Sequence, residues 1–423
     1  MNGWNKTKFA DLLVESRDGE WGKGDITLGH QLSEVIRGTD FATLNSSNKE
    51  LPKRWIKEHL VNRKKLQIGD ILLETAGGTA KQSTGRSAIL RASFFDQHKN
   101  NPVLCSSFTR YLRLDCKNYA PEFIYYLLQV LYVLGFMGVY NLQHTGVSRF
   151  QYTSFKKNTV LSIPLLKTQR KIAAVLCTYD DLIGNNKHRI ALLENMVEEI
   201  YREWFVRFRF PGYQETKFKK GIPEAWCVKA ISELCSEIRH SVKKENLEDD
   251  ELYLGLEHFS RKSISIKQFD TADSINSNKL RFQERDILFA KIRPYLHKIA
   301  IAHFSGACSS DTIVIRPKNK IYEAFLLFTI FSDTFIELAT ISSKGTKMPR
   351  ADWDFLSRLE IIVPSNNMLE KYQKIFDVVF DQIVNLLKSN ELLTQAKKQL
   401  LLRLISGKLS VEDLDIQFPP SML

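Results

Sequence analysis

The chain repeats itself, and a tandem repeat fixes architecture before any single element is assigned. Gly69-Asp70-Ile71-Leu72-Leu73 follows a basic, polar stretch in the first half, and Arg285-Asp286-Ile287-Leu288-Phe289 does the same in the second. Each reads as a turn entering a buried strand. Further on, Thr145 to Phe150 leads through Phe155 to Leu161-Ser162-Ile163-Pro164, and Gly345 to Arg350 leads through Phe355 to Ile361-Ile362-Val363-Pro364. The two prolines stand 200 positions apart, as do the two phenylalanines. After each proline come a short polar stretch, then Gln169-Arg170-Lys171-Ile172 or Gln373-Lys374-Ile375, then a long heptad-patterned segment. The repeated unit is therefore a mixed domain, a strand ending in proline, and a long helix.

Before each long helix the pattern is of short β-branched and aromatic runs broken by Gly, Asn, Asp and Ser, with helical stretches such as Pro121 to Val133 and Tyr322 to Leu338. This predicts two α+β domains of about 150 to 165 residues. The expected boundaries are a first domain over 1–165, a helix over 166–207, a second domain over 208–364, a helix over 365–410 and a tail over 411–423. Phe210-Pro211-Gly212-Tyr213 ends the first helix and opens the second domain.

In the first helical segment, apolar residues fall at Ile172, Leu176, Tyr179, Ile183, Ile190, Leu193, Val197, Ile200 and Trp204, interrupted at Asn186. The second gives Phe376, Val379, Ile383, Leu386, Leu393, Leu400 and Leu404, with Asn390 and Lys397 as interruptions. Both are coiled-coil seams. Run antiparallel with Asn186 facing Asn390, they mesh: Ile183 meets Leu393, Ile190 meets Leu386, Leu193 meets Ile383, Val197 meets Val379, Leu176 meets Leu400, and Ile172 meets Leu404. Tyr179 then takes Lys397. A parallel pairing would set Asn186 against Leu386 and Asn390 against Ile190 and strand two buried amides, at about 1–3 kcal/mol each. The expected fold is two tandem domains related by a pseudo-twofold, separated by an antiparallel pair of helices roughly 50 to 60 Å long.

Sixty Lys and Arg against 48 Asp and Glu leave a net charge of +12, which favours a polyanionic partner such as nucleic acid, although ribosomal and membrane-surface proteins share that balance. No run approaches the roughly 20 apolar residues of a membrane span, and the start lacks an apolar targeting segment, so the expected compartment is the cytoplasm and no membrane partner is expected. Cys105, Cys116, Cys177, Cys227, Cys235 and Cys308 form no C-x-x-C and no Cys/His cluster, so no metal site is signalled and reduced core thiols are expected. Phosphate-loop, dinucleotide, zinc-protease and serine-hydrolase motifs are absent. Gly77 to Gly85 is glycine-rich but lacks the phosphate-reaching lysine, and the carboxylates of Glu248 to Glu251 read as a solvated surface. Nor does Asn101-Pro102-Val103 match the Asn/Asp-Pro-Pro-aromatic motif of DNA amino-methyltransferases. No catalytic residues are therefore expected.

Reading a base sequence needs donors aimed at base edges, with cations nearby to hold phosphates. Both domains carry such loops at matching places just ahead of the terminal strand: Gln143 to Gln151, with Thr145, Ser148 and Arg149, and Ser343 to Arg350, with Lys344, Thr346, Lys347 and Arg350. Two further candidates are Gly77 to Arg86, with Gly78, Lys81, Gln82, Thr84 and Arg86, and Lys291 to His297, with Lys291, Arg293 and Tyr295. The basic stretch Lys49 to Lys65 mixes signs and reads as a solvated helix face able to hold phosphates.

The repeat, the Ile-Pro and Val-Pro exits and the Gln-Arg-Lys-Ile and Gln-Lys-Ile helix starts resemble the specificity subunit of type I restriction-modification systems over nearly the whole chain. The resemblance implies two target-recognition domains, each reading one half of a split, asymmetric double-stranded DNA target. It implies helices that set the gap and dock two methyltransferase subunits, with restriction subunits joining the complex. S-adenosylmethionine would belong to the methyltransferase partner, not to this chain. Asp180 to Ile183 and Asp381 to Ile383 would lie in the conserved helices, whose outward faces carry partner contacts. Lengthening the first helix by whole turns should then widen the gap and leave both half-sites unchanged. Two other readings stand beside this one: a nucleic-acid-binding scaffold of another bacterial defence or RNA-processing complex, and an enzyme whose site carries no familiar motif.

Overall fold

The structure is a computed structural model and describes residues 4–44, 50–78, 82–144, 147–275, 277–345 and 347–422. It divides into two compact units, Met1–His188 with Asn390–Leu423, and Arg189–Ser389. Each contains one mixed domain and a stretch of both long helices, which run over Leu166–Tyr201 and Asn366–Ile405.

In the first unit, strand Thr109–Leu114 lies between Leu13–Asp18 and Ile71–Glu74, and Ser87–Ile89 continues the sheet beyond Ile71–Glu74, all antiparallel. Successive side chains of a strand point to opposite faces. Ile71, Leu73, Leu112 and Leu114 therefore join a core with helix Pro121–Val133 and the start of the first long helix, while Leu72 and Tyr111 join a second cluster on the other face. A smaller sheet orders Lys53–Lys57, His30–Ile36 and Val103–Cys105, the last two parallel. At the entrance to the central strand, the buried Asp70 accepts two hydrogen bonds from Arg113, at 2.9 and 2.7 Å, and one from the Gln67 N–H at 2.8 Å. Burial pushes the Asp70 carboxyl above its ordinary pKa against the pull of Arg113.

The second unit repeats the four-stranded sheet and the buried Asp–Arg pair at its entrance, while its second sheet has five strands instead of three. Its four-stranded sheet runs Cys235–Glu237, Thr312–Pro317, Ile287–Ala290, Ile299–Ile301, and its second sheet again holds a parallel pair, Leu252–Leu254 with Gly306–Cys308. Asp286 accepts from Arg316 at 2.7 and 2.8 Å and from the Gln283 N–H at 2.7 Å. In each domain a first strand pairs antiparallel with the last, Trp4–Lys8 with Val160–Pro164 and Cys227–Ala230 with Glu360–Val363.

One expected correspondence is off by a residue. Phe155 is fully buried, but Phe355 is 46% exposed and Leu356 takes the inward place. The short helix before the closing strand spans Tyr152–Asn158 in the first domain and only Trp353–Leu356 in the second, so the inward position falls one residue later.

The helices pack antiparallel in the register the seams require. In the first unit Ile172 and Leu176 share a core with Leu400 and Leu404, and Asn186 Nδ2 donates to Asn390 Oδ1 at 3.0 Å. The Lys397 ammonium pairs with Asp180 and lies 5.2 Å over the Tyr126 ring. A carboxylate attracts the cation more strongly than an aromatic ring does. In the second unit Ile190, Leu193 and Val197 pack with Leu386, Ile383 and Val379, and the Tyr372 hydroxyl donates to the Val197 carbonyl at 3.0 Å. An asparagine pair in an apolar seam costs stability and fixes register. Asn186→Leu should therefore destabilise the chain by about 1 kcal/mol, because Asn390 loses its donor, and adding Asn390→Leu should recover at least that much. Urea titration of the two variants tests this, and equal stability of both would count against it.

The tail folds back on the first unit, where Lys171 Nζ donates to the carbonyls of Glu412 and Leu414, both at 2.6 Å. Among the described residues no single helix is long and apolar enough to cross a membrane.

Candidate nucleic-acid interface

The two candidate loops of each domain, distant in sequence, are brought together by backbone hydrogen bonds. In the first domain, Ala76–Gly78 pairs with Val147–Phe150, setting Gly78 opposite Ser148 and Arg149 opposite Ala76. The anchor is Thr75, whose N–H donates to the Phe108 carbonyl and whose carbonyl accepts from the Phe150 N–H, each at 2.9 Å. In the second domain the anchor is Lys291: its N–H donates to the Asp311 carbonyl and its carbonyl accepts from the Ala351 N–H, again at 2.9 Å. Isolated bridges then join Ile292 to Arg350 and Lys344 to Arg350. Thr75 thus corresponds to Lys291, Gly77 to Arg293, and Arg149 to Arg350.

Within the first pair of loops, several candidates turn out to be supports. Thr84 is fully buried and its hydroxyl donates to Asn141. Arg86 is tied to the buried Glu74 at 2.6 and 2.9 Å and to the Gly38 carbonyl at 3.2 Å. Ser148 and Gly78 are also buried, and a Cβ on Gly78 would sit 2.8 Å from the Gln82 carbonyl oxygen, so only glycine closes the turn. Burial, hydrogen bonds and close packing tie these four residues into the loop itself. Gln82 and Arg149 are exposed. Lys81, Thr145 and Thr346 lie outside the described residues.

The second pair of loops is richer in exposed cations. Lys344, Lys347, Arg293 and Arg350 are exposed, and Tyr295 is 54% exposed. Lys291 is held back, with Nζ donating to the Ser310 carbonyl at 2.8 Å. Arg350 contacts Asp311 at 3.1 Å, and Lys344 contacts Asp352. The hydrogen bond between Lys344 and Asp352 raises the ammonium pKa and lowers the carboxyl pKa. Exposed pairs of this kind are worth little, so a phosphate can take the place of the carboxylate. His297 closes the turn from inside: burial lowers its pKa, and it bonds to the Phe331 carbonyl at 2.7 Å.

Sequence reasoning missed the groups that join each domain to its helix. Gln169 Oε1 accepts the Ala120 N–H at 2.9 Å, and its Nε2 donates to the Pro164 carbonyl at 2.9 Å. Gln373 Oε1 accepts the Ala324 N–H at 2.9 Å in the same way. Arg91, buried, reaches Asp181 at 3.0 Å and Asp180 at 3.6 Å, and Arg285 reaches Glu323 and Asp377 at 2.9 Å and Asp381 at 3.4 Å. The acidic positions on the helices thus face their own domains. The signal available was the Gln at matching helix starts.

Among the described residues of these loops there is no nucleophile-and-base arrangement. Elsewhere, Glu257, His258 and Asp270 stand close together, but His258 Nδ1 accepts the Gly255 N–H at 3.0 Å. That bond leaves the ring proton on Nε2, which faces Asp270 at 3.5 Å as in a simple His–carboxylate pair.

Comparison with known proteins agrees with this layout. The family model described as the type I restriction modification DNA specificity domain matches residues 22–195 and again 223–400. The type I restriction enzyme MjaIX specificity subunit of Methanocaldococcus jannaschii is 26% identical over 313 residues, covering 69% of this chain and 70% of that protein. The putative MjaX specificity subunit of the same organism is 20% identical over 423 residues, covering 97% and 94%. In fold, the chain resembles the crystal structure of a type I restriction-modification S subunit from M. genitalium, with a TM-score of 0.55 at 15% identity over 95% of this chain and 96% of that one. With two copies of the domain matched in tandem, this chain belongs to the type I restriction-modification DNA specificity family.

Proposed function

We infer that the chain is the non-catalytic DNA-specificity subunit of a type I restriction-modification system and that each of its domains reads one half of a split target. The observation that carries this reading is the duplicated pair of loops. The same backbone frame occurs in both domains, yet it presents Gln82 and Arg149 in one and Arg293, Tyr295, Lys347 and Arg350 in the other. A shared frame with different exposed donors suits two half-sites of unrelated sequence, because base identity is read by side chains while phosphates are held by cations on a common scaffold. Two methyltransferase subunits and the restriction subunits are the proposed protein partners, S-adenosylmethionine is the cofactor of the methyltransferase, and the complex works in the cytoplasm.

Methylation mapping of genomic DNA from cells carrying this chain with its partner subunits tests the reading. An asymmetric motif of two unrelated halves around a fixed gap is expected. Absence of any motif, with nucleic-acid binding retained, would favour a scaffold.

A further inference from the structure

We propose that Arg293 is the principal base-reading residue of the second domain, held ready to grip a guanine edge in the major groove. This rests on the inference that the domain reads DNA. The first observation is conformational. Arg293 has φ 51° and ψ 63°, the left-handed region that a residue with a Cβ rarely adopts, and it precedes Pro294, which favours extended backbone in the residue before it. The corresponding residue of the first domain is Gly77, with φ +109°. Glycine fills this place without strain, so an arginine here is conformationally unfavourable and its side chain must compensate.

The other left-handed residues show what such compensation looks like. Among the described residues six non-glycine positions have positive φ: Phe208, Lys220, Lys262, Arg285, Arg293 and His297. Lys220 sits in a two-residue hairpin turn between Phe218–Lys219 and Ile222–Pro223, where the turn itself demands that conformation. Phe208 packs on Trp226, Lys262 pairs with Asp333, and His297 bonds to the Phe331 carbonyl. Arg285 is the closest parallel, because it too stands where the first domain has a left-handed glycine, Gly69. Its guanidinium is engaged by Glu323, Asp377 and Asp381. Of the six, Lys220 and Arg293 have side chains with no hydrogen bond, ion pair or ring contact among the described residues; the two-residue hairpin turn accounts for Lys220, whereas Arg293 is exposed and precedes a proline. The partner of Arg293 therefore lies outside the chain.

The second observation is placement. The Arg293 N–H donates to the Pro349 carbonyl at 2.8 Å, and the Leu296 N–H donates back to the Arg293 carbonyl at 2.8 Å, so the backbone that aims the side chain is fixed from both sides. Arg350 and Lys347 on the adjoining loop can hold the flanking phosphates, and Tyr295, two residues after Arg293, is exposed. A free, planar, permanently charged fork on a rigid turn matches the two acceptors, O6 and N7, that guanine presents in the major groove.

The test uses the full chain assembled with its partner subunits, on double-stranded DNA carrying the target mapped by methylation. Arg293→Gly relaxes the backbone and removes the fork. It is expected to leave the melting temperature unchanged or higher, while methylation of the target falls roughly 10- to 100-fold, the loss typical of one bidentate base contact. Arg293→Lys keeps the charge, so its salt dependence should match the parent while discrimination at one G·C pair is lost. Retention of the parent motif and rate by Arg293→Gly would overturn the proposal, as would a lower melting temperature, which would make Arg293 a structural residue. If the parent complex yields no split motif, it is the underlying DNA-reading assignment that fails instead.

Discussion

Arg91→Met is expected to lower the unfolding free energy of the chain by about 3 kcal/mol, the lower end of the range for breaking a buried ion pair. Arg91 is 7% exposed, and its guanidinium lies within 3.0 Å of Asp181 and 3.4 Å of both the Tyr126 hydroxyl and Cys177 Sγ. Methionine replaces its volume but none of its donors. Asp180 keeps Lys397 and the Tyr126 hydroxyl, whereas Asp181 is left as a half-buried charge without its cation. A second change, Asp181→Leu, should return much of the loss, since removing both members of a pair is far less costly than removing one. Urea unfolding followed by fluorescence checks both steps, and a loss below 1 kcal/mol in the single variant would show that the pair is not what fastens this domain to its helix.

The second large effect is expected at Gln169, which is 1% exposed. Its amide satisfies the first free N–H of helix Pro121–Val133, through Ala120, and the carbonyl of Pro164 at the end of the closing strand. Gln169→Leu fills the same space and leaves both backbone groups buried without partners, at about 1–3 kcal/mol each, so a total near 3 kcal/mol is expected. Hydrogen exchange adds a local reading, because the Ala120 amide should exchange faster while the far sheet of the domain keeps its protection. Gln373→Leu should produce the same result at Ala324. Unchanged exchange at either amide would contradict the assigned role.

The duplicated architecture and the helix register were legible because both are one-dimensional patterns. A heptad seam is written in consecutive residues, and the places where Asn186 and Asn390 interrupt it admit one antiparallel alignment. The strand entrances at Asp70 and Asp286 were legible for the same reason. Their partners, Arg113 and Arg316, lie 43 and 30 residues on, and nothing in the local sequence marks them among the other arginines.

The interface was legible as segments but not as residues. A threonine or arginine in a glycine-rich loop looks the same whether it serves a ligand or the loop itself, and only burial distinguishes Thr84 and Arg86 from Gln82 and Arg149. The pairing of the two loops in each domain depends on backbone contacts spanning some sixty residues or more, such as Phe150 to Thr75 and Ala351 to Lys291. The unusual backbone of Arg293 is equally invisible in sequence, because the match of Gly77 with Arg293 appears only when the two hydrogen-bond frames are compared.

Exchanging residues 208–364 for the equivalent domain of another member of the family, followed by methylation mapping of the resulting complex, tests the division of labour between the domains most directly. The expected outcome is a hybrid target: one half identical to the parent's and the other half identical to the donor's. A target in which both halves change, or one that stays wholly parental, would contradict the conclusion that each domain reads its own half.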